Sequence, residues 1–239
     1  MSESVRTAIS YLPSVLLAAL ALFAPSATVA QDNVYTLPRA QARAVVASYA
    51  ECVVRQHSLD VRAALQAWSP GRGEPRLPVN NDCAARESYD MTEISLAPAT
   101  HRYALAEALY AAEYGSRPPL SYDAVPLAPP DEVSALDQAA PPTVRAAYDH
   151  AVAERYRLII GDCVVRTAPA AAHALLVSEV ETRAEAAALA GVQPVLAPCL
   201  PTGQVARFNR GSLRGILAIA ALRLNVAAGA VAPAAGGVR

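Results

Sequence analysis

Lysine is absent from the chain, so arginine carries all of the positive side-chain charge. Twenty basic residues stand against 21 acidic ones, which leaves a formal net charge of −1 at pH 7. A general nucleic-acid binder needs a basic face that neutralises phosphates, and a chain this close to neutral is not expected to have one. The absence of lysine, together with frequent alanine and proline, indicates a GC-rich coding bias and favours a bacterial source.

The short motifs that mark common enzyme classes are also absent. The sequence has no GxSxG nucleophile elbow, no HExxH zinc motif, no P-loop and no GxGxxG dinucleotide fingerprint. It has neither a CxxC pair nor the cysteine–histidine spacing that is typical of zinc sites. We therefore expect no metal and no organic cofactor, and an enzymatic role is not the favoured interpretation.

Four histidines remain as candidates for acid–base or metal chemistry: His57, His101, His150 and His173. His150 and Glu154 are close enough on a helix to share a metal or a proton, but no third ligand lies near them in sequence, and we interpret them as a surface pair. Cys52 with His57 fits a thiol nucleophile. An exported cysteine that has a partner in its own half of the chain is instead expected to be oxidised.

Residues 1–30 have the three-part layout of a secretory signal peptide. Arg6 precedes the apolar run VLLAALALFA, and small residues follow up to a cleavage point after Ala30. Because a membrane-spanning helix needs roughly 20 apolar residues, we predict export to the periplasm or the medium rather than a permanent anchor. No cysteine near the cleavage point allows lipid attachment, and we expect no later segment to be apolar and long enough to span a membrane.

Two phrases of the mature chain are almost the same, ECVVR at 51–55 and DCVVR at 162–166. Farther along, HRYALAEAL at 101–109 aligns with LRGILAIAA at 213–221 when one extra residue is allowed. A second cysteine lies between these two anchors in each half. The order and spacing predict an internal duplication, and two copies make a paired unit rather than a solenoid.

Each predicted unit is helical. Apolar residues recur at helical spacing before the first cysteine in both halves, at Val45, Tyr49 and Cys52 and at Val152, Tyr156, Ile160 and Cys163. Pro169 marks the start of a second helix, and Asn209 is placed to cap the last one. The predicted fold class is therefore all-α, with two similar helical units that each contain a disulfide and pack as one pseudo-two-fold core.

The predicted boundaries follow from composition. The first helical unit covers 31–114, and the second covers 143–226. The segment 115–142 between them is rich in proline and is expected to be an extended linker. The segment 227–239 is low in complexity and is predicted to be a disordered tail.

An even number of cysteines in an exported chain predicts disulfides. The four are Cys52, Cys83, Cys163 and Cys199. Three connectivities are possible, and all three are compatible with the duplication. We favour Cys52 with Cys83 and Cys163 with Cys199, because each unit is then closed independently.

The repeated phrase also places an acid before each first cysteine. Arg102 and Arg214 lie early in the closing helices of the two units, where a positive charge opposes the helix dipole. We therefore predict structural ion pairs between Glu51 and Arg102 and between Asp162 and Arg214. An anion site formed by equivalent arginines is the alternative.

Aromatic residues are few in this chain. Tyr103, Tyr110 and Tyr114 lie along one predicted helix, where they fit a ligand groove but are more often found in core packing. Trp68 is the only tryptophan and is expected to close the core.

The leader, the paired cysteines and the phrase RYALAEALY at 102–110 resemble those of a group of exported α-proteobacterial proteins that has no assigned function. The resemblance covers the mature chain up to residue 226. It implies export and carries no activity, cofactor or catalytic residue. The second half departs from the phrase, because Ile219 stands where the first half has Glu107, and this weakens any shared catalytic role for that acid.

These observations favour an exported, disulfide-stabilised helical protein with a structural or binding role. The alternative is an enzyme or a carrier of a small apolar ligand with a site between the two units, since duplicated helical units can enclose a cleft. An enzyme should place a titratable pair in that cleft, and a carrier should contain a continuous apolar cavity.

Overall fold

Helices account for the regular structure of the described residues, which are 37–85, 96–126, 130–137, 139–200 and 208–231 of a computed structural model. Within these ranges no strand occurs, so the prediction of an all-α fold is confirmed. The predicted signal peptide, 1–30, lies outside the described residues. The helices are α1 Arg39–Ala67, α2 Asn81–Ala85, α3 Pro98–Tyr114, α4 Pro142–Thr167, α5 Pro169–Val177, α6 Arg183–Leu196 and α7 Arg210–Val231, with a short 3-10 helix at Ala197–Cys199.

The helix starts follow local sequence rules. Proline occupies the first turn of α3, α4 and α5, where its missing N–H costs no helical hydrogen bond. Asn209 caps α7 as predicted, because its Oδ1 accepts a hydrogen bond from the Ser212 N–H at 2.8 Å. Thr182 caps α6 in the same way by accepting from the Glu185 N–H at 3.2 Å.

Two breaks divide the long helical stretches. Within α1 the backbone leaves the helical region at His57, with φ −133° and ψ 32°. Between α4 and α5 it does so at Ala168, with φ −138° and ψ 63°, and the two helices meet at 108°. Pro169 accounts for the second break, since proline disfavours a helical conformation in the residue before it.

The core is built around α3 and α7, which pack against each other. α1 lies against α3, and α4 lies against α7. Two glycines permit the close approach: a Cβ at Gly215 would be 2.1 Å from the Tyr103 Cβ, and a Cβ at Gly161 would be 2.7 Å from Ile216 Cγ2. The helices can therefore approach only where these positions have no side chain.

The helix α7 is more apolar than expected. Its window Arg210–Gly229 is long and apolar enough to cross a membrane, and the bent pair α4–α5 passes the same test as one broken span. This corrects the prediction that no later segment has the composition of a span. In the structure 67% of the α7 window is buried inside the protein, as is common for the core helix of a soluble protein.

Both predicted disulfides are confirmed. Cys52 in α1 is bonded to Cys83 in α2, and Cys163 in α4 is bonded to Cys199 in the 3-10 helix. Each bond therefore ties a long helix to a short helix farther along the same half of the chain. Such bonds fit an oxidising compartment.

The ends of the predicted segments differ in part from the structure. Residues 227–231 belong to α7, contrary to the prediction of a disordered tail from 227, because alanine favours the helix. Residues 232–239 lie outside the described residues. The described parts of the linker contain no helix before Pro142. Arg166 holds this linker by donating to the carbonyl oxygens of Tyr122 and Val125 at 3.0 and 2.9 Å.

The predicted core stripe is confirmed on α1 and only in part on α4, where Ile160 is buried as predicted. Val45, Tyr49 and Cys52 are buried, whereas Tyr156 is 39% exposed. On α4 the inward positions include Glu154 instead. Glu154 faces inward because it forms an ion pair with the buried Arg102.

We expect Gly215→Ala to destabilise the oxidised protein by about 1–3 kcal/mol, because the added methyl group overlaps Tyr103. Gly229→Ala is the matched control in the same helix, where an added Cβ has nothing within 4 Å. That change should be neutral or stabilising by up to about 1 kcal/mol. Urea unfolding measures both, and equal effects of the two substitutions would contradict the close helix approach.

Candidate functional site

Two arginines are buried in the central helices. Arg102 in α3 is 0% exposed, and Arg214 in α7 is 3% exposed. Arginine is almost never fully buried unless it is paired, because an isolated charge loses its hydration in the interior. The partners of these two residues therefore define the charged sites of the core.

Two carboxylates hold Arg102. Its Nη1 donates to Glu74, and its Nη2 donates to Glu154. Glu154 is buried on α4, whereas Glu74 lies on the irregular segment between α1 and α2. The Trp68 ring lies against the guanidinium group, with 3.9 Å from Cζ to the ring centroid, which adds a cation–π contact.

Glu154 is fixed by three donors. Besides Arg102, it accepts from Arg157 and from the Tyr103 hydroxyl, which lies 3.0 and 2.9 Å from the two carboxylate oxygens. Burial and the negative charge of Glu154 raise the pKa of Tyr103. Tyr103 therefore stays protonated and acts as a donor rather than as a base.

Backbone and carboxylate oxygens surround Arg214. Its Nε donates to Glu107 at 2.7 Å, and its Nη1 lies 3.4 Å from Glu185. Its Nη1 and Nη2 also donate to the carbonyl oxygens of Leu175 and Ser178 at 2.8 and 3.1 Å. Arg214 thus bonds to the carbonyl groups at the end of α5, a role that suits a cation at a helix C-terminus.

Glu185 joins this cluster to α1. It is fully buried, and it accepts from Arg43 and from the Glu181 N–H, the latter at 2.9 Å. Burial acts to raise the pKa of Glu185, but the hydrogen bonds and charges of Arg43, together with the Glu181 N–H and the charge of Arg214, lower it below its usual value. Burial raises the pKa of Glu107 despite its contact with Arg214.

The predicted pairs of Glu51 with Arg102 and of Asp162 with Arg214 are wrong. Glu51 is exposed, because it lies one residue, or about 100° around the helix, from the inward-facing Cys52. Asp162 instead lies 3.7 Å from Arg223. Arg223 is about 14 Å farther along α7 than Arg214, given the rise of the helix.

Asp162 is a buried carboxylate that few contacts compensate. Burial raises its pKa from 3.8 to about 6, although the charges of Arg223 and Arg166 partly oppose the shift. Its Oδ1 has no hydrogen-bond partner among the described residues. The carboxylate is therefore poorly compensated at neutral pH.

The structure places the other candidate residues in a disulfide, in the core or at the surface. Cys52 is in a disulfide and is not a thiol nucleophile. Glu154 is turned into the core while His150 is exposed, which corrects their interpretation as a surface pair. Tyr103 and Tyr110 pack in the core, where the Tyr110 hydroxyl lies 2.9 Å from His173 Nδ1. Across the described ranges, no group of three or more ligating side chains is arranged to hold a metal.

Sequence reasoning missed the acids that neutralise the arginines. Glu74 and Glu185 are 111 positions apart, the same separation as the two cysteine phrases. That coincidence was the available signal. It was easily overlooked because the surrounding similarity is short: an arginine lies two residues before each glutamate, at Arg72 and Arg183, and the flanking residues otherwise differ.

The described surface includes two shallow grooves that could hold a ligand. One, of about 580 Å³, lies between α5 and α6 and is lined mainly by small apolar side chains. The other, of about 480 Å³, lies between Pro70–Arg72, Asp131–Leu136 and the start of α4. Neither is lined by Arg102 or Arg214. No family model, curated protein or solved structure matches this chain.

We expect Glu154→Gln to destabilise the protein by about 3 kcal/mol, because it leaves the buried Arg102 with one carboxylate fewer. Glu113→Gln is the matched control, since Glu113 pairs with Arg62, whose side chain is 44% exposed. Because this pair is only partly buried, it should contribute only about 0–1 kcal/mol. Similar losses for the two variants in urea unfolding would show that burial of the pair is unimportant.

Asp162→Asn should stabilise the protein at pH 7.5 and have little effect at pH 4. The folded pKa of about 6 lies above the unfolded value of 3.8, so the contribution of Asp162 is fully present below pH 3.8 and is lost as pH rises through 6. The loss at neutral pH is at most about 3 kcal/mol, and asparagine avoids it. Urea unfolding at both pH values tests this, with the exposed Asp149→Asn on the same helix as the charge control. A gain that is equal at both pH values would contradict the assignment.

Proposed function

We propose that the protein is exported to the periplasm or the medium and has a structural or binding role there as a disulfide-stabilised helical protein. The observation that carries this proposal is that the buried charged groups form contacts between helices. Arg102 pairs with Glu154 and Arg214 pairs with Glu185, while Arg214 also bonds to the end of α5 and Glu185 to Arg43 of α1, so that these contacts connect six helices: α1, α3, α4, α5, α6 and α7. The signal-like leader, the two disulfides and the resemblance to exported α-proteobacterial proteins support the location.

We also propose that the chain arose by duplication of one helical unit. The helix breaks at His57 and Ala168 are 111 positions apart and have φ angles of −133° and −138°. A break in one half therefore has a counterpart at the spacing of the cysteine phrases, although no similarity in residue type links the two positions. The pairs Glu74–Arg102 and Glu185–Arg214 support the same relation, because each joins an acid to an arginine within one half.

A pseudo-two-fold core follows from this proposal. The packing of α1 on α3 corresponds to that of α4 on α7, and α3 meets α7 between them. Two of the contacts between the halves come from Arg43 and Glu154, which are also 111 positions apart: Arg43 reaches Glu185, and Glu154 reaches Arg102. The charges of Arg43 and Glu154 are opposite in sign. The first half therefore supplies a cation to Glu185 of the second half, and the second half supplies an acid to Arg102 of the first.

Tight packing between the halves favours this role over a carrier or an enzyme with a site at that position. Leu105 on α3 and Leu217 on α7 are both fully buried, and Gly215 lies directly against Tyr103. A carrier for an apolar ligand needs room there. Untargeted mass spectrometry of the purified protein tests the alternative, because a ligand retained in stoichiometric amount would favour the carrier.

The export proposal is tested by expressing the full chain with its own leader in a Gram-negative host. We expect an exported product that begins at Gln31 and contains the Cys52–Cys83 and Cys163–Cys199 disulfides in non-reduced peptide maps. Leu17→Arg, which interrupts the apolar run, is the control and should leave the chain unprocessed in the cytoplasm. An unprocessed wild-type chain with reduced cysteines would contradict the proposal.

A further inference from the structure

We propose that Arg102 is the binding site for a small aliphatic monocarboxylate and that Glu74 occupies this site as an internal ligand. The inference rests on the binding part of the proposed function. It starts from a difference between the two buried arginines. Arg214 has its Nε, Nη1 and Nη2 all engaged, mostly by helix ends, whereas Arg102 Nε has no hydrogen-bond partner among the described residues.

The two partners of Arg102 differ in how firmly they are held. Glu154 is buried on a helix and accepts hydrogen bonds from three side chains. The Glu74 side chain is 32% exposed and lies on 68–80, a segment without helix or strand. Gly71 and Gly73 precede it with φ of +87° and +81°, a conformation that favours glycine. Glu74 is therefore the carboxylate that can leave without unfolding a helix.

Charge and shape define what would replace Glu74. Without it, Arg102 and Arg157 face the single acid Glu154, which leaves one net positive charge. The vacated space is that of two methylene groups and a carboxylate next to Arg102, whose Cζ lies 3.9 Å from the centroid of the Trp68 ring. A short aliphatic monocarboxylate supplies the missing charge and an apolar chain of the same size, and it bonds to arginine with a charge-assisted hydrogen bond.

Trp68 makes the site directly observable, because it is the only tryptophan in the chain and contacts Arg102. The experiment titrates the oxidised full-length mature protein with sodium propionate at constant ionic strength and follows tryptophan fluorescence. We expect a saturable change that chloride does not produce. In Glu74→Gln the apparent Kd should fall at least about tenfold, because the internal competitor has lost its charge. Glu113→Gln, which alters the partly exposed ion pair with Arg62, should titrate like the wild type.

The proposal is overturned if Glu74→Gln responds to propionate no more than to chloride, or if phosphate is bound as tightly as propionate. Circular dichroism first establishes that the variant is folded. If the variant does not fold, the wild type is tested instead. Propionate should then raise its Tm more than chloride does at the same ionic strength, and the absence of such a rise would overturn the proposal. Failure in either arm leaves export and disulfide formation untouched, since peptide mapping tests those separately.

Discussion

Neutralisation of Arg102 and Arg214 inside the helical core is the constraint to which the surrounding elements conform. Leaving a buried charge without its partner costs several kcal/mol, whereas the net contribution of an intact buried pair is small. The pairs therefore fix which surfaces meet more than they add stability. Arg102 requires an acid from α4, so Glu154 faces inward and Tyr156 is turned toward solvent. Arg214 likewise brings the end of α5 and the start of α6 to the same point.

The disulfides and the ion pairs act at different ranges. Each disulfide closes a loop within one half of the chain, which on the chain-entropy model stabilises by restricting the unfolded state. The contacts of Arg43 with Glu185 and of Glu154 with Arg102 run between the halves. Each half of the chain is thus closed by a covalent bond, whereas the packing of the two halves against each other depends on ion pairs and on the close helix approach at Gly215. This division explains how a core with few aromatic residues keeps one arrangement of helices.

Local features of the fold were predictable from the sequence, and long-range partners were not. Helical periodicity, Pro169, Asn209 and the cysteine pairing depend on neighbouring residues or on the spacing of two cysteines, and the structure confirms them. The partners of Arg102 depend on a loop residue, Glu74, and on the rotation of α4 about its axis. Periodicity placed Tyr156 inward because it measures apolarity and takes no account of a buried cation that requires an acid.

A double-mutant cycle between Arg102 and Glu154 tests the central claim most directly. Urea unfolding of Arg102→Met, Glu154→Gln and the double variant, all with intact disulfides, gives the coupling free energy between the two side chains. If this contact organises the core, we expect a coupling of about 2–3 kcal/mol, with the double variant more stable than the sum of the single losses allows. A coupling near zero, with additive losses, would contradict the account.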